Sequence, residues 1–332
     1  MNKITLIGLT SITLSMGLKL KELGLSDLEI TGSCNDNSRL NLAKKIGSID
    51  KSTRNLKEAV ENSKIIVIDS DMNETIELIE AISEVIDKDT IITDTGIMKQ
   101  PIVKYLNENI NREVQFIPGR PLIKDDITDI KNYNSKIFKD INYCLFPNKN
   151  TDPSSLKLLI DLIENLEAKP LFMDINEYDS YAAAMSILPI IMSSAFVTAT
   201  TNKESWREMF NIATSEFEIS SRYASRDPKS NLDYSLANTE AITNWIDELI
   251  KELYTYRNLI LEKNDILLDA FIKSWEERSK WETNSPNFEE HIEFPSATET
   301  MTSLFVGGKL AQKYREFMES DKKKRKGWEK LK

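Results

Sequence analysis

The stretch "ITLIGLTSITLSMGLKLKELGL", Ile4 to Leu25, decides the fold. Ile4 to Ile7 form a short apolar run, followed by Gly8 and an amphipathic segment of helical spacing. A strand buried on both faces that turns at a glycine into a helix opens a dinucleotide-binding βαβ unit. Such units carry Gly-x-Gly-x-x-Gly at the turn. Here the three positions read Gly8, Thr10 and Thr13. The frame is present, and two of its glycines are not.

Outward from this turn the first half continues in the same alternation. Strands are expected at "LEITGS", "KIIVIDS", "TIITDT" and "VQFIPG", with helices at "SRLNLAKKIG", "NETIELIEAISEVI" and "PIVKYLNENI". Beyond a wetter segment come strand "INYCLFP", helix "DPSSLKLLIDLIENLE" and strand "KPLFMD". This order predicts an α/β domain over residues 1–175, a Rossmann-type, doubly wound parallel sheet. From Glu177 the pattern is helical. "EYDSYAAAMSILPIIMSSAFVTATT" is apolar nearly all round and reads as a buried central helix. Long amphipathic helices follow between Asn231 and Trp281. Together they carry more apolar surface than one small domain hides, so residues 176–282 read as an all-helical dimerisation domain and the partner as a second copy. Residues 283–332 read as a tail with one short helix at "SLFVGGKLAQKYREFM".

The totals exclude some functions. With 332 residues the chain can hold two cores. A net charge of −10 argues against nucleic acid as a partner, and the basic "DKKKRKGWEKLK" reads as a solvated end. No apolar run reaches the roughly 18 residues of a membrane span. No charged-then-apolar leader is visible, and two cysteines make no disulfide framework, so a cytoplasmic protein is expected. Histidine occurs once, at His291, which limits the bases available near neutral pH.

Several strings, in this order and spacing, resemble the prephenate/arogenate dehydrogenase family of tyrosine biosynthesis. They are "ITLIGL", "EITG", "AKKIGSID", "LKEAVENSKIIVI", "IITDTGIMKQPIV", "FIPGRP", "MDINEYDSYAAAMSILP" and "SRYASRDP", within roughly residues 3 to 265. The resemblance implies NAD- or NADP-dependent oxidation of a small anionic substrate, prephenate or arogenate. Hydride leaves the hydroxyl-bearing ring carbon, and decarboxylation makes the ring aromatic. It also implies a histidine that assists deprotonation of that hydroxyl, an arginine of the helical domain that binds a substrate carboxylate, and a dimer through that domain.

The site residues depart from this pattern. At the turn, Thr10 places a branched side chain where phosphate meets backbone, and Thr13 adds bulk where helix meets strand. Hydroxyls of Thr10, Ser11 and Thr13 can still donate at a helix N-terminus. Either a rearranged cofactor site or a turn kept only for the fold results. The ribose-binding acid falls near Asp36, with Arg39 able to meet a 2′-phosphate; plain loop polarity is the alternative. The third family strand ends with Asp69, Ser70 and Asp71, two carboxylates beside the expected dinucleotide, although Asp71 also suits a helix cap.

Arg120 stands at the family's histidine position. Arginine does not act as a base at ordinary pH, although it binds carboxylates well. The family's Ser-His-Leu-Pro-His appears as "SILPI", with Ile187 and Ile190, and the serine after Gly96 is Ile97. Arg222 matches the carboxylate-binding arginine, with a structural salt bridge as the alternative, and Asn238 matches an asparagine near the start of a long helix. Lys99 remains after the turn at Gly96. Arg120, Arg222 and Lys99 would make a cationic cleft. Replacement bases would be Asp125, Asp126 or His291, each of which equally suits a solvated loop or tail.

Overall fold

The computed structural model describes residues 2–110, 114–125, 127 and 129–283. They fall into two compact units, divided between Asp179 and Ser180. The first unit begins β1 (Asn2–Ile7), α1 (Ser11–Glu22), β2 (Leu28–Ser33), α2 (Asn37–Lys45), β3 (Lys51–Thr53) and α3 (Leu56–Val60). It continues β4 (Ile65–Ile68), α4 (Met72–Ser83), β5 (Ile91–Asp94), α5 (Gln100–Asn109) and β6 (Gln115–Phe116). These six strands make one sheet of order β3-β2-β1-β4-β5-β6, parallel throughout. This is the doubly wound, Rossmann-like sheet that the alternation predicts. The apolar runs form its middle: Leu6, Ile30, Ile66, Val67, Ile68 and Ile92 are fully buried because helices cover both faces.

Two short elements escaped the sequence pattern, β3 and α3. "KST" has no apolar run, and its backbone is held only through pairing with Thr31 to Ser33. The remaining strands of this unit build a second sheet. In it β7 (Gly119–Pro121) runs antiparallel to β8 (Asn142–Leu145), and β8 runs parallel to β9 (Lys169–Phe172), after α6 (Pro153–Asn165). The string "VQFIPGRP" is therefore split. Gln115–Phe116 belongs to the large sheet, and Gly119–Pro121 carries Arg120 into the small one.

A helical run Ile175–Thr201 comprises α7 (Ile175–Ala182), a π-helical turn Ala183–Ile187 and α8 (Leu188–Thr201). Pro189 lacks the N–H that would continue the ladder, and the wider turn stands just before it. The second unit adds α9 (Trp206–Phe210), α10 (Ser215–Ser221), α11 (Pro228–Ala237), α12 (Thr239–Leu261) and α13 (Ile266–Glu282). Two expectations need correction here. The run Ile175–Thr201 is long and apolar enough, by length and composition, to cross a membrane, so the chain does contain one such segment. It is also not a buried central helix. Ala183, Ile187 and Ile190 are buried, but Tyr181, Met185, Met192 and Phe196 are exposed, Met185 at 75%. A helix that is apolar on all faces leaves uncovered surface when only some faces meet neighbours in its own chain. The tail expected over 283–332 lies outside the described residues beyond Thr283, and His291 lies there too.

Candidate functional site

The strand order of the large sheet reverses between β1 and β4, so their carboxyl ends open a crevice. Gly8 closes the turn there with φ of +77°, and a Cβ on it would lie 2.1 Å from the Asp69 carbonyl oxygen. Glycine is required at this point both for the backbone angle and for the contact.

The two missing glycines have become a cap. Thr10 is the N-cap of α1, and its side chain accepts from the backbone N–H groups of Ile12 and Thr13. Thr13 Oγ1 accepts from Thr10 N at 2.9 Å and donates to Gly8 O at 2.7 Å. This is a capping box with threonine in the place of glutamate. Two of the helix N–H groups at this end, those of Ile12 and Thr13, are thus held by a side chain of the same turn. The close helix approach expected of the third glycine occurs one turn later, at Gly17, where a Cβ would lie 2.2 Å from Ser48 O.

The three hydroxyls also have protein acceptors. Thr10 Oγ1 donates to Asp69 Oδ2, Ser11 Oγ to Ile127 O at 2.6 Å, and Thr13 to Gly8. Asp69 accepts a second hydroxyl, Thr95 Oγ1, at 2.5 Å. Burial pushes the Asp69 carboxyl above the ordinary range, helped by the charge of Asp94, while Thr10, Thr95 and Arg120 oppose the shift. A half-buried acid at the switch point, with the three hydroxyls and the Ile12 and Thr13 amides already engaged, does not fit a dinucleotide pyrophosphate.

The ribose end is similar. The Asp36 carboxylate accepts Ser38 N at 2.7 Å and Ser38 Oγ at 2.6 Å as the cap of α2, and these bonds draw its pKa down. Arg39 Nε lies 3.6 Å from the same carboxylate. The acid is therefore turned to its own helix. Ser70 Oγ bonds Thr75 Oγ1 at 2.9 Å at the start of α4. Asp71 holds the N-cap position of α4, but its side chain makes no cap hydrogen bond.

Lys99 departs further from expectation. It is fully buried, and its Nζ lies 2.5 Å from Asp94 Oδ2, so it presents no cation to a cleft. Asp94 also accepts Gly96 N at 3.0 Å and Gly119 N at 3.3 Å. The N-terminus of α5 is held by Asp179, which accepts Lys99 N at 3.0 Å and Gln100 N at 2.8 Å. Burial raises Asp179 to about 6 against the pull of those amides and of Lys99. Arg120, on β7, donates Nη1 to Thr95 O at 2.7 Å. Thr95 thus joins Arg120 to the Asp69 cluster.

In the second unit, Ile187 and Ile190 are buried at 0% and 1% exposure. Arg222 is exposed and pairs with Glu218 at 3.1 Å. Asn238 caps α12 by accepting Ala241 N at 3.2 Å. Asp125 is exposed in a loop, and Asp126 lies outside the described residues.

Comparison with known proteins assigns this architecture. Residues 16–171 match the model for the prephenate dehydrogenase nucleotide-binding domain, and residues 174–274 match that for the prephenate dehydrogenase dimerization domain. The chain belongs to the prephenate dehydrogenase family. The first match begins at Met16, past the β1–α1 turn. The prephenate dehydrogenase of Bacillus subtilis is 24% identical over 234 residues, which are 70% of this chain and 63% of that protein. The cyclohexadienyl dehydrogenase of Zymomonas mobilis is 23% identical over 238 residues, 71% of this chain and 81% of that protein. The structure of A. aeolicus prephenate dehydrogenase with hydroxyphenyl propionate and NAD+ superposes with a TM-score of 0.74. It is 21% identical and covers 84% of this chain and 98% of that one.

Groups that accept a proton near neutrality are the candidates for acid–base chemistry. The first unit offers few. Tyr143 and Tyr178 are pushed above the ordinary phenol range by burial, and the Cys144 thiol is pushed up to about 12. Asp94 is paired with Lys99. Asp179 titrates in a useful range, but both its oxygens face the α5 amides. Sequence reasoning missed Asp179 and Thr95 because neither departs from a motif. The Thr10-x-x-Thr13 spacing was a visible cap signal.

Proposed function

We propose that this chain is a prephenate dehydrogenase family member that works as a small-anion-binding homodimer, and that it does not oxidise prephenate or arogenate with NAD or NADP. The observation that carries this reading is the Asp69 carboxylate, bound by the Thr10 and Thr95 hydroxyls at the crevice between β1 and β4. A dinucleotide entering there meets an acid and a helix end whose Ile12 and Thr13 amides are already capped. The dimer is supported by the dimerization-domain match and by exposed apolar side chains of the helical unit, among them Met185, Leu253, Phe271 and Trp275.

A second reading, an active dehydrogenase with a relocated base, draws support from the Gly8 turn and the family match over both domains. One pair of measurements separates the two. Calorimetric titration with NAD and with NADP, and a nicotinamide absorbance assay with prephenate and arogenate, should give neither micromolar binding nor steady turnover. Turnover that survives Arg120→Ala but is abolished by Asp125→Asn, Asp126→Asn or His291→Ala would establish the enzyme and its base.

A further inference from the structure

Arg120 is the cation of the first unit that its neighbours leave incomplete. It is half-buried, and among the described residues one of its five N–H donors is engaged, Nη1 on Thr95 O. Among the described residues no carboxylate pairs with it. Asp69, whose ionised form the Arg120 charge favours, accepts two hydroxyls, and Asp94 is ion-paired with Lys99. A half-buried guanidinium gains when its unused N–H donors meet an acceptor. Its remaining donors form the planar fork that suits a carboxylate.

The surroundings favour a small organic acid over a phosphate. On the small sheet Arg120 pairs with Cys144, a buried and uncharged neighbour. A phosphate dianion would need more positive charge than one arginine facing Asp69 provides.

We propose that Arg120 anchors a small monocarboxylate by a two-pronged hydrogen bond, independently of Arg222. This rests on the anion-binding part of the proposed function and names the residue and the ligand class. The probe is benzoate, with neutral benzamide as its isostere, titrated into the full chain by calorimetry and by saturation-transfer NMR. Benzoate should bind and benzamide should not. Arg120→Lys should weaken benzoate about 10-fold, and Arg120→Met about 100-fold, the range expected for losing part or all of a charge-assisted fork. Circular dichroism checks that each variant is folded; should Arg120→Met fail to fold, the Arg120→Lys shift carries the test. Equal binding of benzoate and benzamide, no benzoate binding, or a loss caused by Arg222→Ala and not by Arg120→Met would overturn the proposal. Micromolar NAD binding by the same preparation would instead overturn the closed-crevice reading and leave the Arg120 result standing.

Discussion

Asp179 gives the protein a pH dependence whose sign and size follow from its place. The residue is 2% exposed, and its carboxyl is raised from 3.8 to about 6, chiefly by burial. Two α5 amides and Lys99 favour the ionised form, but the Lys99 charge is already matched by Asp94, so desolvation prevails. A raised folded-state pKa means that the native protein binds more protons than the unfolded chain between about pH 4 and pH 6. Stability from this group is therefore highest below pH 4, declines as pH rises to about 6, and is level above it. A shift of this size corresponds to about 3 kcal/mol. Asp179→Asn keeps an oxygen acceptor for the α5 amides and removes the titration. Urea unfolding of both proteins at pH 4, 5, 6 and 7.5 gives the difference curve, in which other carboxylates cancel. Relative to Asp179→Asn, the unmodified protein should gain about 2.4 kcal/mol on going from pH 7.5 to pH 4. A flat difference, or a gain in the opposite direction, would refute the argument that burial outweighs the amide cap.

Other substitutions test separate parts of the structure. Gly8→Ala places a methyl group 2.1 Å from a backbone carbonyl in a left-handed conformation, and should cost more than about 3 kcal/mol in urea unfolding; a cost below 1 would show that the turn relaxes freely. Lys99→Met leaves Asp94 buried without its cation and should cost about 3–5 kcal/mol, most of which Lys99→Met with Asp94→Leu should recover, as read by thermal melts. Met185→Glu, on the exposed apolar face of the Ile175–Thr201 helix, should shift the protein from dimer to monomer in light scattering at tens of micromolar.

The alternation of apolar runs and helical periods was enough to read the large sheet, because strands buried on both faces admit only apolar side chains. It was not enough for β3, which is held by pairing alone, nor for the division of "VQFIPGRP" between two sheets. The helical run Ile175–Thr201 was misread as core because apolar composition does not distinguish a face that meets its own chain from one that does not. At the site, the residue changes were visible singly: threonine for glycine, aspartate beside the dinucleotide path, arginine for histidine. Their connection was not, since Asp69, Thr95 and Arg120 come from three separate strand ends that only the topology brings together.

That connection changes what reversion should do. Thr10 and Asp69 are bonded to each other, and Thr10 also caps α1. Thr10→Gly with Thr13→Gly restores the glycine pattern, but it uncaps the helix and removes one of the two hydroxyl donors to Asp69. A cap loss costs about 1 kcal/mol, and Asp69, still bonded to Thr95, continues to occupy the crevice. The double variant should therefore be less stable and still not bind NAD in calorimetry. Adding Asp69→Gly removes the acid, leaves the α1 amides open to an anion, and is the first step at which binding should become measurable. If the two threonine reversions alone produced micromolar NAD binding, Asp69 would not be what closes the crevice. The losses at this site form one hydrogen-bonded unit, and they are reversible only together.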